Sequence, residues 1–199
     1  MTIPAVRDGG AASPGPDTKP DVSVLIVSWN TRDLTVACLD SLPAAARRGL
    51  SYEVIVVDNG SLDGSADALS RRADILLILN PSNRGYAAAV NQAYAEARAE
   101  LVLLLNSDVR FDPGALEELV RFLRERREIA GVGPLYVNPD RSPQEHHYRL
   151  PTFAMILVNA STVLRRLPGL NRLVGSYRMT DADFSEPRPV EQPSARGLM

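Results

Sequence analysis

Short apolar runs alternate along the chain with segments in which apolar residues recur every three or four positions. The runs predict strands over residues 22–28, 53–58, 74–79, 101–105 and 129–135. The segments between them predict amphipathic helices over residues 31–48, 64–72, 85–99 and 113–127. The strand runs are apolar throughout rather than alternately apolar and polar, as in parallel sheets covered on both faces. The pattern therefore predicts an α/β fold with a Rossmann-like, mainly parallel sheet and helices on both faces.

Polar residues follow three of the predicted strands at the points where those strands end. Asp58 ends the second strand, residues 83–85 (NRG) lie beyond the third, and residues 106–108 (NSD) end the fourth. In open parallel sheets, ligands bind at the carboxyl ends of the strands. We therefore expect these three groups to share one edge of the sheet and to form a ligand site there.

Composition and charge narrow the class of protein. The chain has 199 residues, of which 45% are hydrophobic and 23% charged, as in ordinary globular domains. Its formal net charge of −2 provides no field that would attract nucleic acid. No apolar run reaches the roughly 18 residues of a membrane-spanning helix, and the first residues lack the pattern of a secretory signal. We therefore expect a cytoplasmic protein with no nucleic-acid partner.

Two residues bear on the first predicted helix. Pro43 is expected to break or bend its end, because proline cannot donate a helical hydrogen bond. Cys38, the single cysteine of the chain, is expected to be a small buried apolar residue. A chain with one cysteine forms no internal disulfide, which fits a reducing compartment.

Two aspartates at the predicted site have side chains suited to a nucleotide diphosphate-sugar. Asp58 ends a strand before a turn, where its carboxylate can accept a hydrogen bond from a pyrimidine N–H. The alternative is a turn aspartate that bonds only to nearby N–H groups. Asp108 can hold Mg²⁺ or Mn²⁺ against a pyrophosphate, since Mg²⁺ uses one or two carboxylates together with phosphate oxygens. The alternative for Asp108 is a cap for the helix that follows from residue 112.

Arg84 lies beside the predicted start of a helix, where the unpaired N–H groups favour anions. It can contact phosphate or ribose, and a solvated arginine is the alternative. A dinucleotide-binding dehydrogenase fits poorly, because residues 28–32 (SWNTR), after the first strand, contain none of the glycines of its phosphate loop.

Four segments, taken together in their order and spacing, resemble family 2 glycosyltransferases. They are residues 24–30 (VLIVSWN), 57–65 (VDNGSLDGS), 80–91 (NPSNRGYAAAVN) and 105–109 (LNSDV). The resemblance covers about residues 21–137 and is greatest for the bacterial rhamnosyltransferase-like branch. Residues 170–179 (LNRLVGSYRM) are similar to that branch more loosely.

This resemblance implies a GT-A fold and inverting, metal-dependent transfer from a nucleotide sugar, UDP- or dTDP-linked. The implied acceptor is a glycan or a lipid-linked molecule of cell-wall or polysaccharide biosynthesis. By the same resemblance Asp58 binds the base, and Asp108, the last acid of a DxD-type motif, binds Mg²⁺ or Mn²⁺. Asn106 stands where that motif has its first acid, as in many members of this branch. The implied nucleotide-sugar contacts are Ser28, Asn30, Asp58, Asn59, Arg84, Gly85, Asn106 and Ser107.

The chain is expected to have three parts. They are a disordered tail over residues 1–20, a nucleotide-sugar-binding domain over 21–137 and an incomplete acceptor-side region over 138–199. An inverting transferase needs a general base for the acceptor hydroxyl. In the family that base follows a small-residue strand, and residues 190–195 (VEQPSA) resemble the approach to it. No catalytic residue is assigned, because none of the acids nearby matches the base motif: Asp181, Asp183, Glu186 and Glu191.

Three hypotheses follow from this reasoning. The first is a truncated transferase that binds its donor and transfers poorly or not at all. The second is an enzyme whose acceptor half comes from a partner subunit or a second copy, which leaves a homo-oligomer open. The third is a non-catalytic nucleotide-binding domain.

Two features of the last third of the chain have alternatives as well. His146 and His147 are candidate metal ligands, although loop histidines are more often solvated. Residues 153–167 have the pattern of an apolar helix followed by arginines, which fits peripheral association with the inner face of a membrane. A helix packed on the domain is the favoured alternative.

Overall fold

Five strands pair into one sheet in the computed structural model, which describes residues 18–46, 49–144, 147–160, 177–179, 182–194 and 196–199. Along the chain they are β1 (Val22–Ser28), β2 (Tyr52–Asp58), β3 (Leu76–Leu79), β4 (Leu101–Asn106) and β5 (Gly197–Leu198). Their order across the sheet is β3-β2-β1-β4-β5. The first four strands run parallel, and β5 pairs antiparallel with β4. The predicted α/β fold with a mainly parallel sheet is confirmed.

Helices cover both faces of this sheet. They are α1 (Arg32–Ala46), α2 (Ser65–Ser70), α3 (Tyr86–Ala95) and α4 (Ala115–Glu125). α3 packs on β1 and β2, where the small side chains of Ala89 and Ala93 let the helix approach Leu25 closely. α1 packs against α2 and α4. Since six of the seven residues of β1 are buried, that central strand is covered on both sides.

The end of α1 differs from the prediction. The helix continues through Pro43 to Ala46, so this proline does not end it, and residues 47–48 lie outside the described residues. Pro43 removes the N–H that would bond to the carbonyl of Leu39. Burial of Leu42, Ala45 and Ala46 in the core keeps the last turn in place. Cys38 is fully buried, as predicted.

The predicted strand over residues 129–135 is wrong, and the fifth strand of the sheet is β5. Gly131, Gly133 and Pro134 interrupt that apolar run, and glycine and proline both weaken strand pairing. Val132 exchanges two backbone hydrogen bonds with Met199, at 2.9 and 3.0 Å. The edge beside β4 is therefore occupied by residues from the other end of the chain.

The chain divides into two compact units. The first contains the residues up to Val132 together with residues 195–199, and the second is Gly133–Ser194. Of the tail predicted over residues 1–20, residues 1–17 lie outside the described residues.

The second unit has little regular structure in its described part. Two isolated antiparallel bridges join Val137 to Pro143 and Tyr148 to Gln192. Its one described helix of more than one turn is α5 (Phe153–Ala160), and the remainder of the helix predicted to residue 167 lies outside the described residues. No helix in the described ranges is long and apolar enough to cross a membrane.

Candidate functional site

The polar residues expected at the site lie at the carboxyl edge of the sheet, which we define by the last residues of β1, β2 and β4. The strand register pairs Ser28 with Asp58 and Val27 with Asn106. Neighbouring strands lie about 4.8 Å apart, so the ends of β2 and β4 are separated by roughly 10 Å across β1. The carboxyl edge is therefore wide enough for two groups of one extended ligand to be held at the same time.

Asp58 presents one carboxylate oxygen that has no partner. Its side chain is only 2% exposed. Oδ1 accepts a hydrogen bond from the backbone N–H of Ser61 at 3.0 Å, whereas the buried Oδ2 has no hydrogen-bond partner among the described residues. A buried acceptor without a donor is costly, by about 1–3 kcal/mol. Asp58 is thus a turn aspartate with one oxygen available for a ligand N–H or O–H.

The turn that follows Asp58 requires a glycine. Gly60 has a φ of +80°, and a Cβ placed on it would lie 2.6 Å from the Cα of Ser82. The loop after β2 and the loop after β3 therefore touch through their backbones. This contact fixes the distance between Asp58 and the loop that contains Arg84.

Asn59 connects these two loops with its side-chain amide. Its Oδ1 accepts hydrogen bonds from Asn80 Nδ2 and from the backbone N–H of Arg84, both at 3.0 Å. Its Nδ2 donates to Asn83 Oδ1 at 3.0 Å and to the carbonyl of Gly85 at 3.4 Å. The amide is buried and its bonding capacity is used within the protein. Asn59 therefore positions the neighbouring loop, and its amide has no direction left for a ligand.

Arg84 and Gly85 stand at the start of α3. The guanidinium of Arg84 is exposed at this edge. Gly85 is the N-cap residue, with a φ of +83°, and its N–H donates to Asn83 Oδ1 at 2.8 Å. The next N–H groups of α3 form a helix N-terminus of the kind that binds anions. A cation and a helix N-terminus thus lie side by side, at the place expected for a phosphate or ribose contact.

Asn30 joins the loop after β1 to the loop after β2. It has a φ of +55°, its N–H donates to Ser61 Oγ at 2.9 Å, and its Oδ1 accepts from the N–H of Leu62 at 2.8 Å. Asparagine tolerates this left-handed conformation better than other non-glycine residues. Asn30 thereby holds Ser61 near Asp58 and fixes the loop that follows β2.

Four hydroxyl groups form a chain beneath the site. Ser28 Oγ lies 3.0 Å from Thr35 Oγ1, and Thr31 Oγ1 lies 3.0 Å from Ser107 Oγ. Thr31 and Thr35 are themselves 3.1 Å apart. Ser28 and Ser107 are buried, so their hydroxyls join β1, α1 and the end of β4 rather than facing solvent. Any contact of these two serines with a ligand would come from their backbones.

Asp108 is the exposed carboxylate of the site. It follows β4 in a turn, where the carbonyl of Asn106 accepts a hydrogen bond from the N–H of Val109 at 3.3 Å. The alternative of a helix cap is wrong, because the N-cap residue of α4 is Gly114, without a side-chain cap hydrogen bond. Burial raises the pKa of the Cys38 thiol to about 12, and the negative charge of Asp108 adds to this effect.

The donor set suits a metal ion that a ligand helps to hold. Among the described residues, no three His, Cys, Asp or Glu side chains come together as a metal site. A single carboxylate such as Asp108 fits Mg²⁺ or Mn²⁺ when substrate phosphates supply further oxygens. His147 lies in the second unit, buried against the ring of Phe184 at a centroid distance of 5.0 Å, and not solvated as expected. His146 lies outside the described residues.

The acids near the end of the chain are occupied or exposed. The carboxylate of Asp183 accepts a hydrogen bond from the N–H of Ser185 at 2.8 Å, and that of Glu191 accepts one from the N–H of Leu150. Glu186 is exposed, and Asp181 lies outside the described residues. These contacts assign no catalytic role to any of the described acids.

Sequence reasoning missed several residues that build the site. Asn80 and Gln92 exchange two amide hydrogen bonds, at 2.9 and 3.0 Å, and so tie the end of β3 to α3. Thr31 and Thr35 complete the hydroxyl chain. Asn80 and Asn83 lie in residues 80–83 (NPSN), a segment that resembles the family. The sequence therefore marked these two residues, but it did not show their hydrogen-bond partners.

Comparison with known proteins finds a family that matches most of this chain. The family described as "Glycosyl transferase family 2" matches residues 23–186. The N-acetylglucosaminyl-diphospho-decaprenol L-rhamnosyltransferase of Mycobacterium tuberculosis is 29% identical over 164 residues, which cover 76% of this chain and 52% of that protein. The undecaprenyl-phosphate 4-deoxy-4-formamido-L-arabinose transferase of Serratia proteamaculans is 30% identical over 117 residues, or 56% of this chain and 36% of that protein. This chain therefore matches about half, or less, of the length of these relatives.

Solved structures share the fold. The mannosyltransferase PcManGT from Pyrobaculum calidifontis, in complex with GDP-Man and Mn²⁺, is similar with a TM-score of 0.53 and 26% identity over 67% of this chain and 40% of that one. TarS of S. aureus, residues 1–349 in complex with UDP-GlcNAc, is similar in fold with a TM-score of 0.53 and 23% identity, over 64% of this chain and 38% of that one. The first unit therefore has the GT-A fold that the family resemblance implied.

Proposed function

The chain belongs to glycosyl transferase family 2, and we propose that its first unit binds a nucleotide sugar together with Mg²⁺ or Mn²⁺ at the carboxyl edge of the sheet. The observation that carries this proposal is the unpaired, buried Oδ2 of Asp58. A pyrimidine N–H of UDP or dTDP would supply the missing donor. The burial of Asp58 also makes the contact selective, because a base without an N–H at that point would leave the oxygen unsatisfied.

The pyrophosphate is proposed to lie between the two cationic features of the site and Asp108. Arg84 and the N-terminus of α3 favour phosphate oxygens on one side. Asp108 would hold the metal ion on the other, about two strand spacings from Asp58. The metal would neutralise the pyrophosphate and stabilise the departing nucleotide. Asn106 would remain a neutral neighbour, so a single protein carboxylate serves the metal.

The acceptor is proposed to be a glycan or a lipid-linked molecule. The relatives named above include transferases whose printed names contain decaprenol and undecaprenyl phosphate. Transfer with inversion needs a base that removes the proton of the acceptor hydroxyl. Since the described acids of the second unit are hydrogen-bonded or exposed, we propose that the 199-residue chain by itself binds donor and transfers sugar weakly.

Calorimetric titration tests the donor site. UDP, dTDP and GDP are titrated into the purified chain with and without Mn²⁺, and Mn²⁺-dependent binding of a pyrimidine nucleotide is expected. Asp108→Ala should remove the dependence on Mn²⁺. Glu100→Ala is the matched control, because Glu100 is an exposed acid at the opposite end of β4, next to Leu101. The proposal fails if no nucleotide binds, or if Asp108→Ala binds with unchanged Mn²⁺ dependence.

Asp58→Asn tests the base contact separately. Asparagine can rotate its NH₂ toward the ligand, so a donor would meet the pyrimidine N–H where an acceptor stood. We expect roughly tenfold or weaker affinity for UDP, in line with the loss of a hydrogen bond to a charged group. Unchanged UDP affinity in a folded Asp58→Asn protein would place the base elsewhere. Robust transfer by the purified chain would instead support an enzyme whose acceptor half comes from a second copy or a partner subunit. Binding without transfer, even with partners, would support a non-catalytic domain.

A further inference from the structure

Thr31 joins the loop after β1 to the turn that contains Asp108. The Oγ1 atom of Thr31 lies 3.0 Å from Ser107 Oγ, and Ser107 directly precedes Asp108 in the chain. Asp108 is exposed, and its carboxylate takes part in no hydrogen bond with the described residues. The direction of this carboxylate therefore depends on the turn, and the turn depends on the contacts that hold Ser107.

The protons of this hydroxyl chain can be assigned from the contacts, because each hydroxyl has one proton to donate. Thr35 Oγ1 donates its proton to the carbonyl of Thr31 at 2.8 Å. The contact between the two threonine side chains, at 3.1 Å, therefore has Thr31 Oγ1 as its donor. With the proton of Thr31 used in this way, Ser107 donates to Thr31 Oγ1. Thr31 is thus the acceptor that fixes the buried hydroxyl of Ser107.

A second hydroxyl group holds the same loop between β4 and α4 at a later point. Ser41 Oγ, on α1, accepts a hydrogen bond from the N–H of Phe111 at 3.1 Å and donates to the carbonyl of Cys38 at 2.6 Å. Thr31 therefore acts on the residue next to Asp108, whereas Ser41 acts three residues after it. The two side chains provide a matched comparison between a contact at the turn and a contact further along the loop.

Two consecutive residues of the loop after β1 act on opposite ends of the carboxyl edge. Asn30 accepts and donates hydrogen bonds in the loop that follows Asp58, where its N–H bonds to Ser61 Oγ at 2.9 Å. Thr31 contacts Ser107, at the end of β4. The base-binding end and the opposite end are therefore held by separate side chains. Removing the hydroxyl of Thr31 should change the second end and leave the first as it is.

We propose that Thr31 is a positioning residue, which orients Asp108 for its metal ion through Ser107. This inference rests on the proposed donor site, because it concerns Mg²⁺ or Mn²⁺ at Asp108. Groups that hydrogen-bond around a metal ligand orient that ligand and raise its affinity for the metal. An exposed carboxylate on a loosely held turn loses more conformational freedom when it binds than one on a fixed turn. Thr31 reduces that loss although it does not touch the metal itself.

Calorimetric titration of UDP with and without Mn²⁺ tests the role of Thr31. Thr31→Val keeps the shape of the side chain and removes the hydroxyl, so Ser107 loses its acceptor. The factor by which Mn²⁺ strengthens UDP binding should fall roughly fivefold, as expected for one lost neutral hydrogen bond. The affinity for UDP without Mn²⁺ should stay within about twofold, because the contacts of Asn30 beside Asp58 are unchanged. Thr31→Ser retains a hydroxyl and should restore the Mn²⁺ factor.

Ser41→Ala is the matched control, because it removes a hydroxyl that holds the same loop at Phe111. Its Mn²⁺ factor should stay within about twofold of that of the unchanged protein. Thermal unfolding followed by Trp29 fluorescence shows which variants are folded. Ser107→Ala breaks the same bond from the other side, so it tests the inference even where Thr31→Val does not fold. In a folded double variant the two changes together should lower the Mn²⁺ factor no further than either one alone.

Three outcomes overturn this inference while the donor site stands. The first is an unchanged Mn²⁺ factor in folded Thr31→Val or Ser107→Ala. The second is an equal loss of UDP affinity with and without Mn²⁺, or a Thr31→Ser protein that does not recover, since either would show a purely structural role. The third is the same loss of the Mn²⁺ factor in Ser41→Ala. Absence of Mn²⁺-dependent UDP binding in the unchanged protein is a different result, which would overturn the metal site at Asp108 and this inference with it.

Discussion

The two units of the chain differ in how their polar groups are satisfied. In the first unit, the loops at the carboxyl edge are joined to one another by side-chain bonds such as those of Asn30 and Asn59. In the second unit, the described strands are isolated bridges, and α5 leaves apolar side chains exposed. A ligand site benefits from the first arrangement, because preformed loops lose little freedom on binding. The described part of the second unit has no comparable set of joined loops, so we place the ligand site in the first unit.

The largest expected effect tests how tightly the loops of the first unit are joined. Gly60→Ala places a Cβ 2.6 Å from the backbone of Ser82 and forces alanine into a φ of +80°. We expect a loss of about 3 kcal/mol or more in the free energy of unfolding, from backbone strain and the clash together. Thermal unfolding followed by the fluorescence of the single tryptophan, Trp29, measures it in the first unit.

Gly64→Ala is the matched control for that change. Gly64 has nearly the same φ, +84°, but its nearest neighbour is the flexible side chain of Arg32 at 3.7 Å. Only the strain of about 1–2 kcal/mol is expected there. Equal losses in the free energy of unfolding for the two variants would mean that the contact between Gly60 and Ser82 does not contribute to stability.

The second effect separates loop positioning from ligand contact at Asn59. Asn59→Ala removes one hydrogen bond from each of three groups: Asn80 Nδ2, the backbone N–H of Arg84 and Asn83 Oδ1. A loss of about 2 kcal/mol in stability is expected, since these groups are partly buried. The exposed Asn91 of α3 provides the same substitution without those bonds, and Asn91→Ala should change stability by less than about 0.5 kcal/mol. A folded Asn59→Ala protein with wild-type stability would contradict the assigned role.

The sheet of the first unit could be predicted because its signals are local. β1 has the predicted bounds, and the observed β2 and β4 differ from the prediction by one residue each. Each is a buried apolar run that ends at a polar turn, which is the pattern that parallel strands require. The position of Asp58 and Asp108 at one edge followed from the same pattern, since parallel strands end together.

The fifth strand could not be predicted from its own residues. β5 has two residues, Gly197 and Leu198, and it exists because it pairs with β4 more than 90 positions earlier in the chain. The run at 129–135 has the apolar side chains typical of a strand, but its two glycines and one proline oppose strand pairing. The sequence also does not predict that the hydroxyl groups of Ser28 and Ser107 point away from the site. They bond to Thr35 and Thr31, and tertiary packing brings these residues together.

The third effect concerns an acid-sensitive link in the first unit. Burial alone would raise the pKa of Glu53, but hydrogen bonds from Ser23 and Arg98 lower it below its usual value of 4.5. Because the folded-state pKa is the lower one, the stabilisation is present above pH 4.5 and is lost as the pH falls below it. Glu53→Gln should cost about 1 kcal/mol at pH 7.

Chemical denaturation at several pH values measures the Glu53 link. The difference between Glu53→Gln and the unchanged protein should shrink as the pH falls below 4.5, because the unfolded chain binds the proton first. It should vanish only below the lowered folded-state pKa, where the glutamate is protonated in both states. The exposed Glu96 is a control position, and Glu96→Gln should show little difference at any pH. A difference that stays constant with pH would mean that charge has no part in the link.

The smallest effect lies in the second unit, at His147. Burial lowers the pKa of this imidazole below its usual value of 6.5, so the folded unit favours the neutral ring. A salt-bridged histidine stabilises the folded state at low pH, whereas a buried neutral histidine does so at high pH. The contribution of His147 to stability is therefore complete above pH 6.5. It declines as the pH falls below 6.5, because the unfolded chain binds the proton first. An NMR titration of the His147 ring should therefore have its midpoint below 6.5. Over the same pH range the fluorescence of Trp29, which reports on the first unit, should stay constant. A midpoint of the His147 titration at or above pH 6.5 would contradict this difference between the two units.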